Sequence, residues 1–189
     1  MKIGIFGGSF NPLHKGHIAL ADWIIAQGYV EELWLMISPQ NPLKQEASLL
    51  DEQSRYALAQ ASLEGHKGVR ACNFEFSLPR PSYTWDTLQA LEKAYPQHRF
   101  SLIIGADNWT IFPRWAHHDE ILARYPLLIY PRPGYNVTQL PSSVTYLSEA
   151  PLFPVSSTEI RELLSKELPT NDYLAETTLQ LIKQNKWYR

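Results

Sequence analysis

"KIGIFGGSFNPLHKGHIALADWIIAQG", Lys2 to Gly28, decides the fold. Its first five residues form a short apolar run, the pattern of a buried strand. From Ile18 onward the pattern becomes helical, with Ile18, Ala21 and Ile25 on one face and Gly28 as a stop. Between them lies a turn containing Gly7, Gly8 and Gly16. A strand that enters a helix through such a turn presents unpaired backbone N–H groups and the positive end of a helix dipole, which together favour an anion. The glycines let backbone and ligand approach closely. The turn is neither G-x-x-x-x-G-K-[ST] nor G-x-G-x-x-G.

His14 and His17 stand three residues apart at the helix start. Both rings can face one phosphate and donate N–H groups to oxygens that gain charge during phosphoryl or nucleotidyl transfer. The helix N-terminus disfavours imidazolium and a bound phosphate favours it, but a neutral ring still donates from one nitrogen. Two plainer readings stay open. The pair could hold a metal, although no third ligand stands near it in sequence, or the rings could cap a glycine-rich loop.

Outward from this turn, apolar runs alternate with amphipathic stretches. "ELWLMIS" (32–38), "VRACNFEFS" (69–77), "RFSLIIGAD" (99–107) and "YPLLIYPRPG" (125–134) read as strands. "DEQSRYALAQASLEG" (51–65), "TWDTLQALEKAY" (84–95), "SSTEIRELLSKEL" (156–168) and "YLAETTLQLIKQNKWY" (173–188) read as helices. This alternation predicts an α/β fold, a Rossmann-like doubly wound parallel sheet with helices on both faces and ligands outside the C-terminal strand ends. Residues 136–150 carry no clear pattern.

The 189 residues suit one domain spanning 1–189. A net charge of −2 argues against a broad nucleic-acid surface, while leaving a local anion site open. The single cysteine, Cys72, excludes an internal disulfide. No run approaches the roughly 18 apolar residues of a membrane helix. Gly7 and Gly8 interrupt any leader-like apolar region, so a cytoplasmic protein is expected, with no membrane partner. The sequence leaves a homo-oligomer open.

"GGSFNPLHKGH" (7–17) and "SSTEIR" (156–161) together resemble the two signatures of the nucleotidyltransferase superfamily that carries an H-x-G-H motif. "SYTWDTL" (82–88), "IGADNWTIFPRW" (104–115) and "PRPGY" (131–135) narrow the resemblance to the bacterial nicotinate-nucleotide adenylyltransferases. The resemblance covers essentially the whole chain. It implies a Rossmann-like fold and transfer of AMP from ATP to nicotinate mononucleotide, with magnesium (Mg2+) on the nucleotide phosphates. The family often has Asp at the position of Asn11 and a longer loop after the second strand; here that loop is "SPQNPLK" (38–44), which keeps Lys44. Phosphopantetheine adenylyltransferases share the H-x-G-H turn but lack these forms of the other motifs. A nucleotide sensor without catalysis is the reading from another class.

The resemblance implies that His14, His17 and Arg161 act on the phosphates. It assigns ATP contacts to the backbone near Gly7, Gly8, Ser9 and Phe10, to Lys44, to Gly105 and Asp107, and to Ser156, Ser157 and Thr158. Tyr83 and Thr84 would read the nicotinate carboxylate, and Trp115 would stack on the pyridine ring. Each has a plain alternative: Ser157 or Thr158, Asp107 and Thr84 as helix caps, and Trp115 as a core residue. Trp85 and Trp109 are expected to pack, and Arg132 receives no role. No residue is expected to form a protein metal site.

Overall fold

The computed structural model describes residues 1–39 and 49–189. Six strands form one sheet in the order β3-β2-β1-β4-β5-β6. They are β1 (Lys2–Gly8), β2 (Glu32–Ile37), β3 (Val69–Cys72), β4 (Arg99–Gly105), β5 (Leu127–Tyr130) and β6 (Val144–Tyr146). Every neighbouring pair is parallel. The chain order reverses between β1 and β4, so the C-terminal ends of these two strands border the crevice where doubly wound sheets bind ligands.

Strand alternation sorts the core onto two faces. Leu33, Leu35 and Ile37 of β2 join Phe6, Ile103 and Leu128 on one face. There they meet Ile18, Ala21 and Ile24 of α1 (Lys15–Ala26) and Ala59 of α2 (Glu52–Ser62). Trp34 and Met36 join Ile3, Ile5, Leu102 and Ile104 on the other face, under Leu88 and Leu91 of α3 (Thr84–Ala94). Burying both faces explains why β2, β4 and β5 read as continuous apolar runs. A third cluster joins Leu58 of α2 to Ile160 of α6 (Ser157–Ser165) and to Leu179 and Ile182 of α7 (Glu176–Asn185).

Several local expectations need correction. The buried stripe of α1 runs through Ile24, and Ile25 is only partly buried. "VRACNFEFS" stops being a strand at Cys72, because Phe74–Ser77 winds into a 3-10 turn. Two short helices were not expected: α4 (Ala106–Ile111), whose first two residues had been read as the end of the strand 99–107, and α5 (His118–Arg124), in a stretch that had received no element. β6 falls within the stretch 136–150 that carried no clear pattern. Among the described residues no helix is long and apolar enough to cross a membrane.

Candidate active site

The turn after β1 is where the two histidines meet. Their ring centroids lie 3.7 Å apart with planes at 34°. His14 caps α1: its Nδ1 accepts from the Gly16 N–H at 3.1 Å. His17 reaches back, and its Nδ1 accepts from the His14 N–H at 3.3 Å. The pair thus forms a reciprocal capping box, a task usually given to Ser or Thr with Glu or Gln. The capping alternative raised by the sequence is therefore part of the geometry.

An Nδ1 that accepts from a backbone N–H carries no proton. Each neutral ring must hold its proton on Nε2, so each keeps one donor that the cap does not use. Protonating Nδ1 would break the cap. Burial, assisted by the Arg132 charge, lowers the pKa of His14 to about 4. Burial, the neighbouring His14 and Arg132 hold His17 well below the ordinary histidine range. Aromatic rings enclose the pair. Phe10 and Phe6 meet His17 edge-on at 5.1 and 6.1 Å, and Phe153 stacks on His14 at 5.9 Å. Gly16 is required by that close packing, since a Cβ there would lie 2.5 Å from the Phe153 ring. Phe10 takes a left-handed backbone (φ 44°) that turns its ring inward onto His17.

Helix α6 closes the other side of the turn. Its cap is Ser156, not Ser157 or Thr158: the Ser156 Oγ accepts from the Glu159 N–H at 3.2 Å. The Glu159 carboxylate accepts from the Ser156 N–H at 2.7 Å. The Ser157 hydroxyl donates to the Pro12 carbonyl at 3.0 Å, so in this state it ties α6 to the turn. Arg161 donates from Nη1 to the Asn11 carbonyl at 2.9 Å and from Nη2 to Thr158 Oγ1 at 3.3 Å. The structure thus brings "SSTEIR" against the H-x-G-H turn across about 140 residues of sequence.

Beyond β4, Gly105 leads into α4, and Asp107 sits in the first turn of that helix. Gly105 is the N-cap, so the reading of Asp107 as a cap is not what the structure shows. A Cβ on Gly105 would collide with Asp107 Oδ1 and crowd Tyr130. Asp107 Oδ1 has no hydrogen-bond partner among the described residues, and the nearest charge is Arg132 Nε at 3.6 Å. Arg132, left without a role by the sequence, therefore bears electrostatically on Asp107 and on both histidines.

A cavity opens beside the turn, bordered by Gly7 and Gly8, Ser82, Tyr83, Thr84 and Trp115. Tyr83, not Thr84, is the N-cap of α3, and no side chain caps the helix, so its first N–H groups remain for a ligand. Ser82 is 7% exposed, and its Oγ lacks a hydrogen-bond partner among the described residues, as does the Trp115 indole N–H. Glu75, also lining the cavity, accepts from the Thr87 hydroxyl at 2.7 Å, and burial raises its pKa. Trp85 stacks on His117 and Trp109 on Phe112, as expected of packing residues. Lys44 lies outside the described residues.

Sequence reasoning missed Arg55, which is fully buried. Its guanidinium donates to the carbonyls of Ser9 at 2.7 Å, Ser38 at 2.8 Å and Pro39 at 3.2 Å, while Nε donates to Leu50 at 2.8 Å. Ser9 thus contributes its carbonyl to the scaffold behind the turn. The signal was present: Arg55 falls on the i, i+3, i+4, i+7 stripe with Leu58, Ala59 and Ser62, all buried on α2. Asn11 also has a larger role than its sequence suggests, since its Oδ1 accepts from the Leu50 N–H at 3.3 Å and from Tyr188 at 2.7 Å.

A parallel sheet with a glycine-rich turn after its first strand, paired histidines, and an arginine brought in by a late helix defines a protein of the nucleotidyltransferase class. The chain belongs to the cytidylyltransferase-like family, whose model matches residues 5–163, and within it to the nicotinate-nucleotide adenylyltransferases. A Bacteroides fragilis protein named nicotinate-nucleotide adenylyltransferase is 46% identical over 166 residues, 87% of this chain and 82% of the relative. A Cytophaga hutchinsonii protein of the same name is 41% identical over 196 residues, covering 100% of this chain and 98% of its own. Among solved structures, the Plasmodium falciparum nicotinic acid mononucleotide adenylyltransferase complexed with NaAD shares the fold. Its TM-score is 0.78 at 20% identity, covering 99% of this chain and 97% of that one.

Proposed function

We propose that the protein transfers AMP from ATP to nicotinate mononucleotide, giving deamido-NAD and pyrophosphate, a step of NAD biosynthesis. The names of its relatives support this reading. The observation that carries it is the pairing of two sites on one turn. On one side stand two neutral histidines whose Nε2–H donors are not taken by the cap. On the other lies a cavity whose buried Ser82 hydroxyl and Trp115 N–H lack partners among the described residues.

The mononucleotide phosphate oxygen attacks the α-phosphorus of ATP in line. The bond to the bridging oxygen breaks, and pyrophosphate leaves with the electron pair. No enzyme nucleophile is needed, so positioning and charge stabilisation supply the rate. His14 and His17 donate from Nε2 to phosphate oxygens, while Arg161 and the amides of the turn and of α6 hold the triphosphate. Asp107 takes the adenosine side. Lys44 is assigned to ATP by the resemblance alone. Magnesium would travel on the triphosphate and neutralise its charge; among the described residues no group of three His, Cys, Asp or Glu side chains could hold an ion. On the same reading the reaction is assigned to the cytoplasm.

In the cavity, the α3 N–H groups beside Tyr83 and Thr84 read the carboxylate, and Trp115 stacks on the ring. A carboxylate accepts at both oxygens. A carboxamide accepts at one and turns its NH2 toward a donor, leaving a buried group unpaired at a cost of about 1–3 kcal/mol. Selectivity for the acid over nicotinamide mononucleotide should therefore reach about tenfold or more in kcat/KM. Measuring both substrates with ATP and magnesium tests this. Equal efficiency would reject the carboxylate site, and pyrophosphate release with neither would reject the reaction. Trp115→Phe should weaken both substrates and keep the preference, because stacking does not distinguish the two rings.

A further inference from the structure

Arg161 donates to the Asn11 carbonyl of the phosphate turn, and Asn11 is itself held from a third part of the chain. After α7 the backbone passes through two left-handed residues, Lys186 (φ 57°) and Tyr188 (φ 62°). Bulky residues seldom adopt that conformation unless their surroundings hold them there. The bend swings Tyr188 onto the turn, where its hydroxyl donates to Asn11 Oδ1 at 2.7 Å across 177 residues of sequence. The ring packs against the α2–α6–α7 cluster as a partly buried aromatic. Tyr188 and Arg161 line one shared depression with Thr158 and Leu50. Asn11 is 1% exposed and so has no room to choose other geometries. Its side chain takes Tyr188 and its carbonyl takes Arg161, so one buried residue joins the two contacts.

The structure assigns Tyr188 as a positioning residue for nucleotide binding: through Asn11 it fixes where Arg161 holds its guanidinium for the triphosphate. The assignment rests on the proposed role of Arg161 at ATP, not on the identity of the acceptor. A merely structural tyrosine would lower stability and leave nucleotide affinity unchanged at a temperature where the protein is folded. Tyr188→Phe removes one oxygen and keeps the packed ring, and Asn11 Oδ1 still has the Leu50 N–H, so the variant should fold.

The test is a double-mutant cycle on binding of a non-hydrolysable ATP analogue with magnesium, measured by titration calorimetry. Tyr188→Phe should weaken binding about fivefold, the size of one ordinary hydrogen bond. In an Arg161→Ala background the same change should have almost no further effect, because the group it positions is gone. KM for the mononucleotide should stay constant in Tyr188→Phe while KM for ATP rises. An unchanged affinity in Tyr188→Phe would overturn the assignment. So would an equal loss in both backgrounds, which would place the action of Tyr188 away from Arg161. Turnover by the wild-type enzyme reports separately on the acceptor: failure to adenylylate nicotinate mononucleotide rejects the proposed function, and the binding cycle still decides Tyr188.

Discussion

The two halves of the site are built on opposite principles. Around the phosphate turn, the polar side chains are already engaged with the main chain. His14 and His17 cap α1, Ser156 caps α6, Ser157 holds Pro12 and Arg161 holds Asn11. In the cavity beside α3, Ser82 Oγ and Trp115 Nε1 are buried with no partner among the described residues, and the helix start has no side-chain cap. The first half is assembled before any ligand arrives, which suits its proposed task of meeting charge that develops in a transition state. The second half carries unmet hydrogen-bond demand, which suits a region that must tell one acceptor from another, since a ligand lacking the right groups leaves buried donors unpaired.

The largest effect should come from the preassembled half. His17→Ala should lower kcat by about a hundredfold or more, while ATP affinity changes little, because a donor aimed at developing charge acts mainly in the transition state. Steady-state kinetics on a folded variant checks this, and near-normal turnover would remove His17 from the chemistry. Arg161→Ala should come next, raising KM for ATP and lowering kcat, with KM for the mononucleotide almost unchanged. A loss confined to the mononucleotide would show that the two halves have been assigned the wrong way round.

Ser82→Ala sharpens the contrast, because its two effects should have opposite signs. Removing a buried hydroxyl with no partner among the described residues should leave the free protein as stable or more so, by up to about 1 kcal/mol. The same change should raise KM for nicotinate mononucleotide several-fold. A Ser→Ala change in the phosphate half, at Ser156, should instead lose a helix cap and destabilise by about 1 kcal/mol. Thermal melts of both variants separate the two behaviours.

The smallest effect concerns pH. His14 and His17 have folded pKa values below the unfolded value of about 6.5, that of His14 being about 4. Between those values the unfolded chain binds more protons than the folded one, so stability rises with pH through this window and falls as pH drops from about 6.5 toward about 4. Urea midpoints across the window should show that slope, and it should flatten when both histidines are replaced by Asn. A flat wild-type profile would mean that the rings are not buried neutral caps.

The parts legible in the sequence share one physical property: a long, regular pattern or a local cluster. β1, the turn and α1 lie within one stretch of 27 residues, from Lys2 to Gly28, and their periodicity changes visibly at the glycines. α4 has 6 residues, α5 has 7 and β6 has 3, too short for any period to register. The caps were misjudged by one residue at α3 and by one or two at α6, because adjacent Ser, Thr and Tyr are all plausible from composition and only backbone geometry selects among them. Ser157 had been read as an ATP contact, and its bond to Pro12 depends on a packing of α6 that the sequence cannot display. Arg55 was readable as an arginine on an apolar stripe, whereas nothing local links Tyr188 to Asn11.

One substitution separates the capping task that the structure gives to His17 from the phosphate task proposed for it. Asparagine places its side-chain oxygen near the position of a histidine Nδ1 and has nothing at Nε2. His17→Asn should therefore keep the bond from the His14 N–H, and with it a melting temperature within a few degrees of wild type. It should still lose about a hundredfold or more in kcat for deamido-NAD formation. Full turnover in a stable His17→Asn protein would contradict the assignment of Nε2 to the phosphates. A collapse of the fold would contradict the division of labour between the two nitrogens.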